Sequence, residues 1–452
     1  MEREVERLAA FVQKREYSDL SEEAVQTLKI RVLDSLGCAF GALNSPVIAK
    51  IREHTEDFGG KPLASLIGGG KTSPDRAAFY NGACIRYLDF NDSFLAKHET
   101  CHPSDNIGAL LAASEYAGAS GKEFLTALAV SYQVQCRLSE EAPVRKKGFD
   151  HTTQGSYAAA AGAAKALRLT AEQTANAIAI SAVSNNALRV TRTGALSHWK
   201  GLAYPNTGFS ATHAAFLAMR GITGPLEIFE GNKGFIDAIS GPFTIQWDKE
   251  DLEIVRKTII KKYNAEIHSQ STLEGILELR EKQSLQGDAI EHIEVDIFDV
   301  AYNIIGGGEE GGKKEIRTKE EADHSLPYMI AVALLDGEVT PAQYLPARIV
   351  RDDVQHLLQK ITIRPKPEFT QKFPQEMRTL IQITMKDGKK LTLEKKDYEG
   401  FFTKPMSWEH ALDKFHRLSA KHVDETHRHA IAEAVLNLEA FNITVLTKLF
   451  GV

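Results

Sequence analysis

The feature that most constrains the fold is a change in the pattern of apolar and polar residues near residue 255. Before this point, apolar residues recur at helical spacing and alanine is abundant. Helices are predicted over Tyr157–Leu167 and Asn206–Gly221. Helix starts are marked by an N-cap at Ser21 and by capping boxes at Ser120/Glu123 and Thr170/Gln173. The first part of the chain is therefore predicted to be nearly all helix.

Beyond residue 255 an alternation of apolar and polar residues appears, which is typical of strands. It covers Ala289–Tyr302 and Ile361–Ile363. Two further strands, Leu380–Met385 and Lys390–Lys395, flank an Asp-Gly pair that favours a type I′ hairpin turn. An apolar helix is predicted between these strands, from His324 to Leu335.

The helical pattern returns from Trp408 to Phe450. We therefore predict a mainly α protein with an α+β insertion. A large helical domain is predicted to comprise residues 1–260 and 405–452, with a smaller α+β domain at 261–404. A chain of 452 residues also exceeds what one hydrophobic core usually serves, so two domains are expected.

Composition excludes several classes of function. Hydrophobic residues make up 43% and charged residues 25%, as in ordinary globular proteins. The net charge of -6 does not indicate a basic surface that would bind nucleic acid or an anionic membrane. The four cysteines, Cys38, Cys84, Cys101 and Cys136, contain no C-x-x-C pair, which argues against disulfides, structural zinc and iron–sulfur clusters. With no signal peptide or membrane span recognised, a cytoplasmic location is expected.

The segment Asn81–Asn106 contains many carboxylate, hydroxyl and histidine side chains between two apolar helical runs. We therefore expect catalytic residues in this segment. Within it, His98-Glu99-x-x-His102 satisfies the zinc-protease pattern, which requires a helix that places both histidines on one face. Pro103 disfavours helical geometry at His102, and the residues that follow resemble a turn or helix start. A zinc hydrolase is therefore kept only as the disfavoured alternative from a different class of enzyme.

Two other segments gather polar residues beside apolar helices. His151 stands immediately before the alanine-rich run. Two interpretations remain open. Either the histidine is part of an anion-binding site formed by the unsatisfied backbone N–H groups at the helix start, or it only caps the helix. Arg189, Arg192, His198 and Lys200 concentrate charge in a glycine-flanked stretch. An anionic substrate would require such a local cluster of cations, because the overall charge of the chain is negative.

The order of these motifs resembles the MmgE/PrpD family, whose members include 2-methylcitrate dehydratase, cis-aconitate decarboxylase and an iminodisuccinate epimerase. The resemblance rests on an N-G pair, Leu88-Asp89-Phe90-Asn91-Asp92-Ser93, His102-Pro103-Ser104, the S-H-W-K-G segment at 197–201 and the K-x-Y-x-A segment from Lys261. Departures are Asn91, where the family has an acidic residue, and Arg86, where a histidine is common. The resemblance implies the two-domain architecture, an active site in the cleft between the domains and a homodimer formed by the helical domain.

The resemblance also implies a set of site residues. Catalytic roles are expected for Asp89, His102, His151 and Tyr328, and substrate-binding roles for Ser93, Lys200 and Lys261, with no metal and no cofactor. One histidine would act as base or acid, Asp89 would orient a histidine or serve as the base, and Tyr328 would protonate the departing hydroxyl. The two lysines would bind carboxylates and stabilise the enediolate-like state.

The expected activity is that of a hydro-lyase, 2-methylcitrate dehydratase, forming 2-methyl-cis-aconitate in propionate breakdown. The expected partner is a small tricarboxylate. A cis-aconitate decarboxylase or an iminodisuccinate-type epimerase on the same fold remains open, because one fold supports different chemistry.

Overall fold

The computed structural model describes residues 2–194 and 196–451 and divides the chain into two compact units. Unit 1 comprises Met1–Arg192, His198–Thr258 and Ser407–Val452, and unit 2 comprises Thr193–Ser197 and Ile259–Met406. Unit 1 is almost entirely helical, and unit 2 contains a four-stranded sheet with helices. The predicted fold class, mainly α with an α+β insertion, is confirmed.

Unit 1 is built from long helices with buried apolar faces. These helices are Glu4–Lys14, Glu22–Ala42, Pro46–Phe58, Pro74–Tyr87, Ile107–Ala117, Gly121–Glu141, Thr152–Ala166, Ala171–Ser184, Trp199–Met219, Trp408–Ser419 and Glu425–Leu436. The predicted N-cap at Ser21 and both predicted capping boxes are confirmed. Each such cap stabilises a helix start by about 1 kcal/mol, because it satisfies backbone N–H groups that have no partner in the first turn.

Two predicted helix starts in unit 1 were wrong, because both observed helices begin several residues before the predicted positions. The Thr152–Ala166 helix begins five residues before the predicted Tyr157, because Asp150 Oδ1 accepts a hydrogen bond from the Thr152 N–H at 3.2 Å. The Trp199–Met219 helix continues through Pro205, although proline removes a helical hydrogen bond.

Glycine brings three of these helices into close contact. A Cβ on Gly155 would lie 2.4 Å from Cε2 of Tyr204, and one on Gly162 would lie 1.9 Å from the Ser131 Oγ. Real side chains do not approach so closely, so neither position accepts a larger residue without movement of a neighbouring helix. These contacts hold the Thr152–Ala166 helix against Gly121–Glu141 and Trp199–Met219.

Unit 1 also contains two short antiparallel strand pairs. Ala64–Ser65 pairs with Lys71–Thr72, and Phe94–Leu95 pairs with Thr100–Cys101. The second pair lies inside the segment 81–106 that carries the predicted chemistry. Its strands return the chain so that residues 92 and 93 come next to His102.

The sheet of unit 2 has the strand order Ile361–Pro365, Ile290–Ile297, Thr379–Met385, Lys390–Lys395. The first pair is parallel and the other two pairs are antiparallel. Helices of unit 2, some of a single turn, cover Gln270–Gln283, Asp299–Ala301, Lys319–Ala322, Leu326–Asp336, Pro346–Ile349, Asp352–Gln359 and Pro367–Thr370. The Gln270–Gln283 helix packs on the two C-terminal strands.

The predicted hairpin exists, but its turn is not of type I′. That turn requires a positive φ at both central residues, whereas only Gly388 has one, at 86°. The Gly388 N–H donates to the Met385 carbonyl at 2.9 Å, so the turn is one residue wider than predicted. Within this turn the left-handed conformation is confined to Gly388, because glycine adopts it without steric cost.

A search of the described residues finds no single helix that is both long and apolar enough to span a membrane. The consecutive helices Glu22–Ala42 and Pro46–Phe58 meet the length and composition test as a pair, with a bend of 92° between them.

Candidate active site

Unit 1 brings together five of the predicted site residues from four separate segments. Asp89 follows the Pro74–Tyr87 helix, and Ser93 and His102 lie on either side of the short strand pair. His151 and Lys200 lie at the starts of the Thr152–Ala166 and Trp199–Met219 helices. All five are buried, with at most 8% of each residue exposed. Buried polar side chains are stable only when they are paired, so their contacts define the cluster.

The contacts of His102 fix its tautomer. Its Nδ1 lies 2.8 Å from the Asp92 carbonyl oxygen and 2.9 Å from the Ser93 Oγ. Because a carbonyl oxygen only accepts hydrogen bonds, Nδ1 must carry the proton. The neutral imidazole therefore has its lone pair on Nε2. Ser93 thus helps to orient this histidine.

His151 stands at the N-terminus of the Thr152–Ala166 helix, and its Nδ1 lies 3.4 Å from Asp150 Oδ1. The adjacent carboxylate favours the tautomer with the proton on Nδ1. Burial lowers the pKa of His151 well below its ordinary value; Asp150 opposes this shift and Arg192 adds to it. The imidazole is therefore neutral near pH 7, and its Nε2 accepts no hydrogen bond from any residue that the structure describes.

The two imidazoles are neighbours. The ring centroids of His102 and His151 lie 5.4 Å apart, with the planes at 72°. On its other side the His151 ring lies nearly parallel to Tyr204, at 6.3 Å. The Tyr204 hydroxyl is within hydrogen-bond distance of Asn106 and Gln135, at 2.9 and 3.0 Å. Two imidazoles thus lie side by side in this buried, polar cluster.

Asp89 has a backbone φ of 53°, in the left-handed region that few residues other than glycine adopt. Aspartate tolerates this region better than most side chains, at a cost of about 1 kcal/mol. Its Oδ1 accepts a hydrogen bond from Arg86 Nη1 at 2.5 Å, and Lys200 Nζ lies 3.4 Å from Oδ2. The carboxylate therefore connects two buried cations.

Asp105 belongs to the same cluster, although the sequence analysis did not select it. Its Oδ1 accepts a hydrogen bond from Asn91 Nδ2 at 2.8 Å, while Oδ2 lies 3.6 Å from Arg86 Nε. Burial raises the pKa of Asp105 to about 7, although Arg86 and Asn91 favour the ionised form. A carboxyl that exchanges a proton near neutral pH is typical of active sites. Its position next to the H-P-S motif was the available signal.

Asp92 and Asp150 are the other two residues that sequence reasoning did not select. Asp92 Oδ1 accepts from the Ser104 N–H at 3.0 Å, and Oδ2 accepts from the Tyr132 hydroxyl at 2.8 Å. Asp150 is bound by Arg192, whose Nε lies 2.7 Å from Oδ2. Burial opposes ionisation of Asp150, but Arg192 and His151 hold its pKa well below the ordinary value. The Asp150 carboxylate lies beside His151, and the main-chain carbonyl of Asp92 contacts His102.

The zinc-protease pattern is not on a helix. Residues 100 and 101 form a strand, His102 has an extended φ of -123°, and Pro103–Asn106 is a short 3-10 helix, as the proline predicted. His98 is exposed, and the Glu99 carboxylate accepts hydrogen bonds from the Val144 and Arg145 N–H groups at 3.1 and 2.9 Å. Glu99 anchors a loop, so the helical arrangement that the zinc-protease motif needs is absent from this described segment.

Lys261 and Tyr328 lie in unit 2, and each is buried there. Lys261 acts electrostatically on Glu266. Tyr328 is the third residue of the Leu326–Asp336 helix, and its hydroxyl donates a hydrogen bond to the Gln343 carbonyl. Burial raises the pKa of Tyr328 above its ordinary value. The roles assigned to these two residues stay predictions.

Unit 2 contains a second carboxylate–imidazole pair. Glu266 Oε1 lies 2.7 Å from His268 Nδ1, and Oε2 accepts from the His268 N–H at 2.7 Å. Burial opposes ionisation of Glu266, but His268, His324 and Lys261 together lower its pKa to about 2. The His268 ring packs against Phe298 and Phe373.

Comparison with known protein families agrees with this architecture. The MmgE/PrpD N-terminal domain matches residues 6–248, and the MmgE/PrpD C-terminal domain matches residues 263–440. The chain belongs to the MmgE/PrpD family. This confirms the resemblance found in the motifs of segment 81–106 and in the later lysine-containing segments.

Several relatives have named activities. The chain is 29% identical to a 2-methylcitrate dehydratase of Escherichia coli (strain K12), over 82% of this chain and 79% of the relative. It is 28% identical to a 2-methylcitrate dehydratase of Cupriavidus necator, over 81% and 79%. It is 27% identical to a cis-aconitate decarboxylase of Mus musculus, over 98% and 92%. This MmgE/PrpD chain is therefore an enzyme, and both names denote lyases.

Proposed function

We propose that this MmgE/PrpD enzyme is a 2-methylcitrate dehydratase, which eliminates water from 2-methylcitrate to give 2-methyl-cis-aconitate in propionate breakdown. The observation that carries the proposal is the pair of imidazoles, His102 and His151, 5.4 Å apart in a buried cluster that also contains the ammonium group of Lys200. The dehydratase relatives support the choice of reaction.

The elimination breaks a C–H bond and a C–O bond and forms a carbon–carbon double bond. His151 is assigned as the base, because it is neutral near pH 7 and its Nε2 has no hydrogen-bond partner among residues 2–194 and 196–451. The proton moves to Nε2, and the hydroxyl leaves as water with a proton from an acid. His102, with its lone pair also on Nε2, serves this second transfer once it is protonated.

The lysines and Asp89 supply electrostatic stabilisation. Proton loss next to a carboxylate builds an enediolate-like state, whose added negative charge is stabilised by a nearby ammonium group. Lys200 has this role in the proposal, and Asp89 holds its side chain at 3.4 Å. Lys261 is assigned the same function towards another substrate carboxylate, and no cofactor or metal is invoked for these steps.

A decarboxylase acting on cis-aconitate is the second candidate, because the relative with that name aligns with 98% of this chain, against 82% for the Escherichia coli dehydratase. In that reaction a C–C bond breaks, carbon dioxide leaves, and the remaining carbon takes a proton. The same cations would stabilise the intermediate, but an imidazolium would act as the acid. The two reactions differ in their products.

The proposal is tested by incubating the purified enzyme separately with 2-methylcitrate, citrate and cis-aconitate. We expect 2-methylcitrate to give an increase in ultraviolet absorbance from the conjugated product, without release of carbon dioxide. Carbon dioxide released from cis-aconitate, with no elimination from 2-methylcitrate, would identify the decarboxylase instead. No conversion of any of the three compounds would refute both candidates.

Tyr328→Phe tests the alternative to His102 as the acid, which is the role that the family resemblance implies for Tyr328. If the hydroxyl protonates the leaving group, kcat falls about 100-fold or more. If it only donates to the Gln343 carbonyl, kcat is retained and stability falls by about 1 kcal/mol. Comparison of kcat with the midpoint of urea denaturation separates the two roles.

The homodimer and the cytoplasmic location expected from the sequence also stay proposals. The mass of the purified chain by light scattering tests the first, and cell fractionation tests the second.

A further inference from the structure

The carboxylate of Asp150 is almost completely surrounded. Arg192 Nε donates to Oδ2 at 2.7 Å and Arg192 Nη2 donates to Oδ1 at 3.3 Å, a two-bond arrangement typical of strong arginine–carboxylate pairs. Oδ1 also accepts from the Thr152 N–H at 3.2 Å, and Arg189 Nη1 lies 3.8 Å from Oδ2. The remaining contact is with His151 Nδ1, at 3.4 Å from Oδ1.

Arg192 has a third contact that connects two parts of the cluster. Its Nη1 donates to the main-chain carbonyl of Lys200 at 3.1 Å. One buried guanidinium therefore binds the carboxylate beside His151 and the first turn of the helix that carries Lys200. The planar fork of arginine fixes the directions of all three hydrogen bonds, which a lysine could not do.

This geometry controls which nitrogen of His151 holds the proton. A carboxylate at Nδ1 favours the Nδ1–H tautomer and leaves the lone pair on Nε2. Without a fixed carboxylate, the two neutral tautomers of a buried imidazole are closer in energy. A fraction of the enzyme would then present an N–H where the base is required.

We propose that Asp150 and Arg192 form a positioning pair that selects the tautomer of His151 and fixes the start of the Lys200 helix relative to it. The proposal rests on the proposed function, in which His151 is the base. Neither side chain exchanges a proton with the substrate. Asp150 acts through His151, and Arg192 acts through Asp150 and the Lys200 backbone.

The first test is Asp150→Asn, which keeps the size of the side chain but removes its charge. We expect kcat to fall about 10- to 100-fold on the substrate that the wild type converts, with KM changed by less than about threefold. ¹⁵N-histidine NMR supplies a readout that does not depend on turnover. The His151 signal, assigned by its absence in His151→Gln, should report the Nδ1–H tautomer in the wild type and a mixture in Asp150→Asn.

The second test separates charge from geometry at Arg192. Arg192→Gln should lower kcat at least as much as Asp150→Asn, and Arg192→Lys should recover only part of the loss because it cannot make three directed bonds. The double variant Asp150→Asn/Arg192→Gln should lose little more than the worse single variant, since both act as one unit.

The matched control is Arg137→Gln. Arg137 is partly buried in unit 1 and pairs with Glu250 at 3.0 Å, and none of its partners belongs to the His151 cluster. This variant should keep kcat within about twofold even if its denaturation midpoint falls. Equal losses of kcat in Arg137→Gln and Arg192→Gln would indicate a general structural effect and overturn the proposal.

The two proposals fail in different ways. If the wild type converts none of the three compounds, the proposed function fails, and the NMR comparison still decides whether Asp150 selects the tautomer. If the wild type is active, but Asp150→Asn keeps its kcat and the Nδ1–H signal, the positioning pair is wrong and the proposed function stands. Should Asp150→Asn not fold, Arg192→Lys provides both measurements.

Discussion

The two units each contain a buried imidazole with a carboxylate at Nδ1, and the pairs differ in what surrounds them. His151 lies 3.4 Å from Asp150, which is shared with Arg192, whereas His268 lies 2.7 Å from Glu266, which also accepts the His268 N–H. Neither Nε2 has a hydrogen-bond partner in the part of the chain that the structure describes.

The neighbours of the two rings decide their chemistry. The ring of His151 faces a second imidazole and a tyrosine, in a cluster of ionised groups. The ring of His268 packs against Phe298 and Phe373, which stack on each other with centroids 4.6 Å apart. A carboxylate–imidazole pair therefore does not by itself define an active site. What distinguishes His151 is the second imidazole against its ring, whereas the described ring neighbours of His268 are two phenyl groups.

The largest expected effect is the loss of kcat when His151 is replaced, and the same replacement at His268 tests whether the two pairs differ. His151→Gln should lower kcat by about 10²- to 10⁴-fold, because it removes the assigned base. His268→Gln should keep kcat within about threefold and lower stability by about 1–3 kcal/mol, because it alters a packed and hydrogen-bonded core residue. Steady-state kinetics and urea denaturation of both variants make the measurement. Loss of kcat in His268→Gln, with His151→Gln active, would reverse the assignment of the two pairs.

One carboxyl group in each unit sharpens the comparison, because folding raises the pKa of Asp105 in unit 1 and lowers that of Glu266 in unit 2. Asp105 titrates at about 7 when folded and at 3.8 when unfolded, so wild-type stability should fall as pH rises from about 4 to 7, by about 4 kcal/mol in total. Asp105→Asn should lack this loss. The measurement is the free energy of unfolding of both proteins across this range. Parallel curves would contradict the shifted pKa.

Glu266 in unit 2 should show the opposite slope. Its pKa is 4.5 when unfolded and about 2 when folded, so it stabilises the wild type fully above pH 4.5, by about 3 kcal/mol, and this contribution disappears as pH falls to about 2. Glu266→Gln should therefore be less stable than wild type at pH 7 and approach it below pH 3. A stability difference that does not change with pH would refute this account.

The smallest expected effect concerns two glycines, one in each unit. A Cβ on Gly155 would meet the rigid Tyr204 ring at 2.4 Å, while one on Gly275 would meet the mobile end of Ile381 at 2.6 Å. Gly155→Ala should cost about 1–3 kcal/mol of stability and also lower kcat, because Tyr204 lies beside His151. Gly275→Ala should lower stability less and leave kcat unchanged. Kinetics and denaturation midpoints of the two variants test this difference.

Features of the fold that depend on near neighbours could be predicted from the sequence. The capping boxes join residues three positions apart, and strand alternation repeats every two residues, so both are visible in a short window. Two helix starts were nevertheless missed. The start of the Thr152–Ala166 helix depends on the Asp150 side chain, and the Trp199–Met219 helix keeps Pro205 inside a packed body.

Family motifs identified five residues that unit 1 brings together, but they did not select Asp105, Asp150 or Asp92. Asp92 and Asp105 lie within or beside the quoted motifs, but the partners of all three carboxylates are set by folding. Arg192 meets Asp150 from 42 positions away, and Tyr132 meets Asp92 from 40 positions away. Only the folded structure shows these pairings, which hold the two carboxylates in place.

The sequence by itself determined the helical body, the α+β insertion and the family, because periodicity, caps and short motifs are properties of neighbouring residues. The tertiary structure alone decided the tautomer of His102, the raised pKa of Asp105 and the placement of Arg192 against both Asp150 and the Lys200 carbonyl. Each of these depends on burial and on charges that folding brings within a few ångströms, and the order of residues along the chain does not encode those distances in any local pattern.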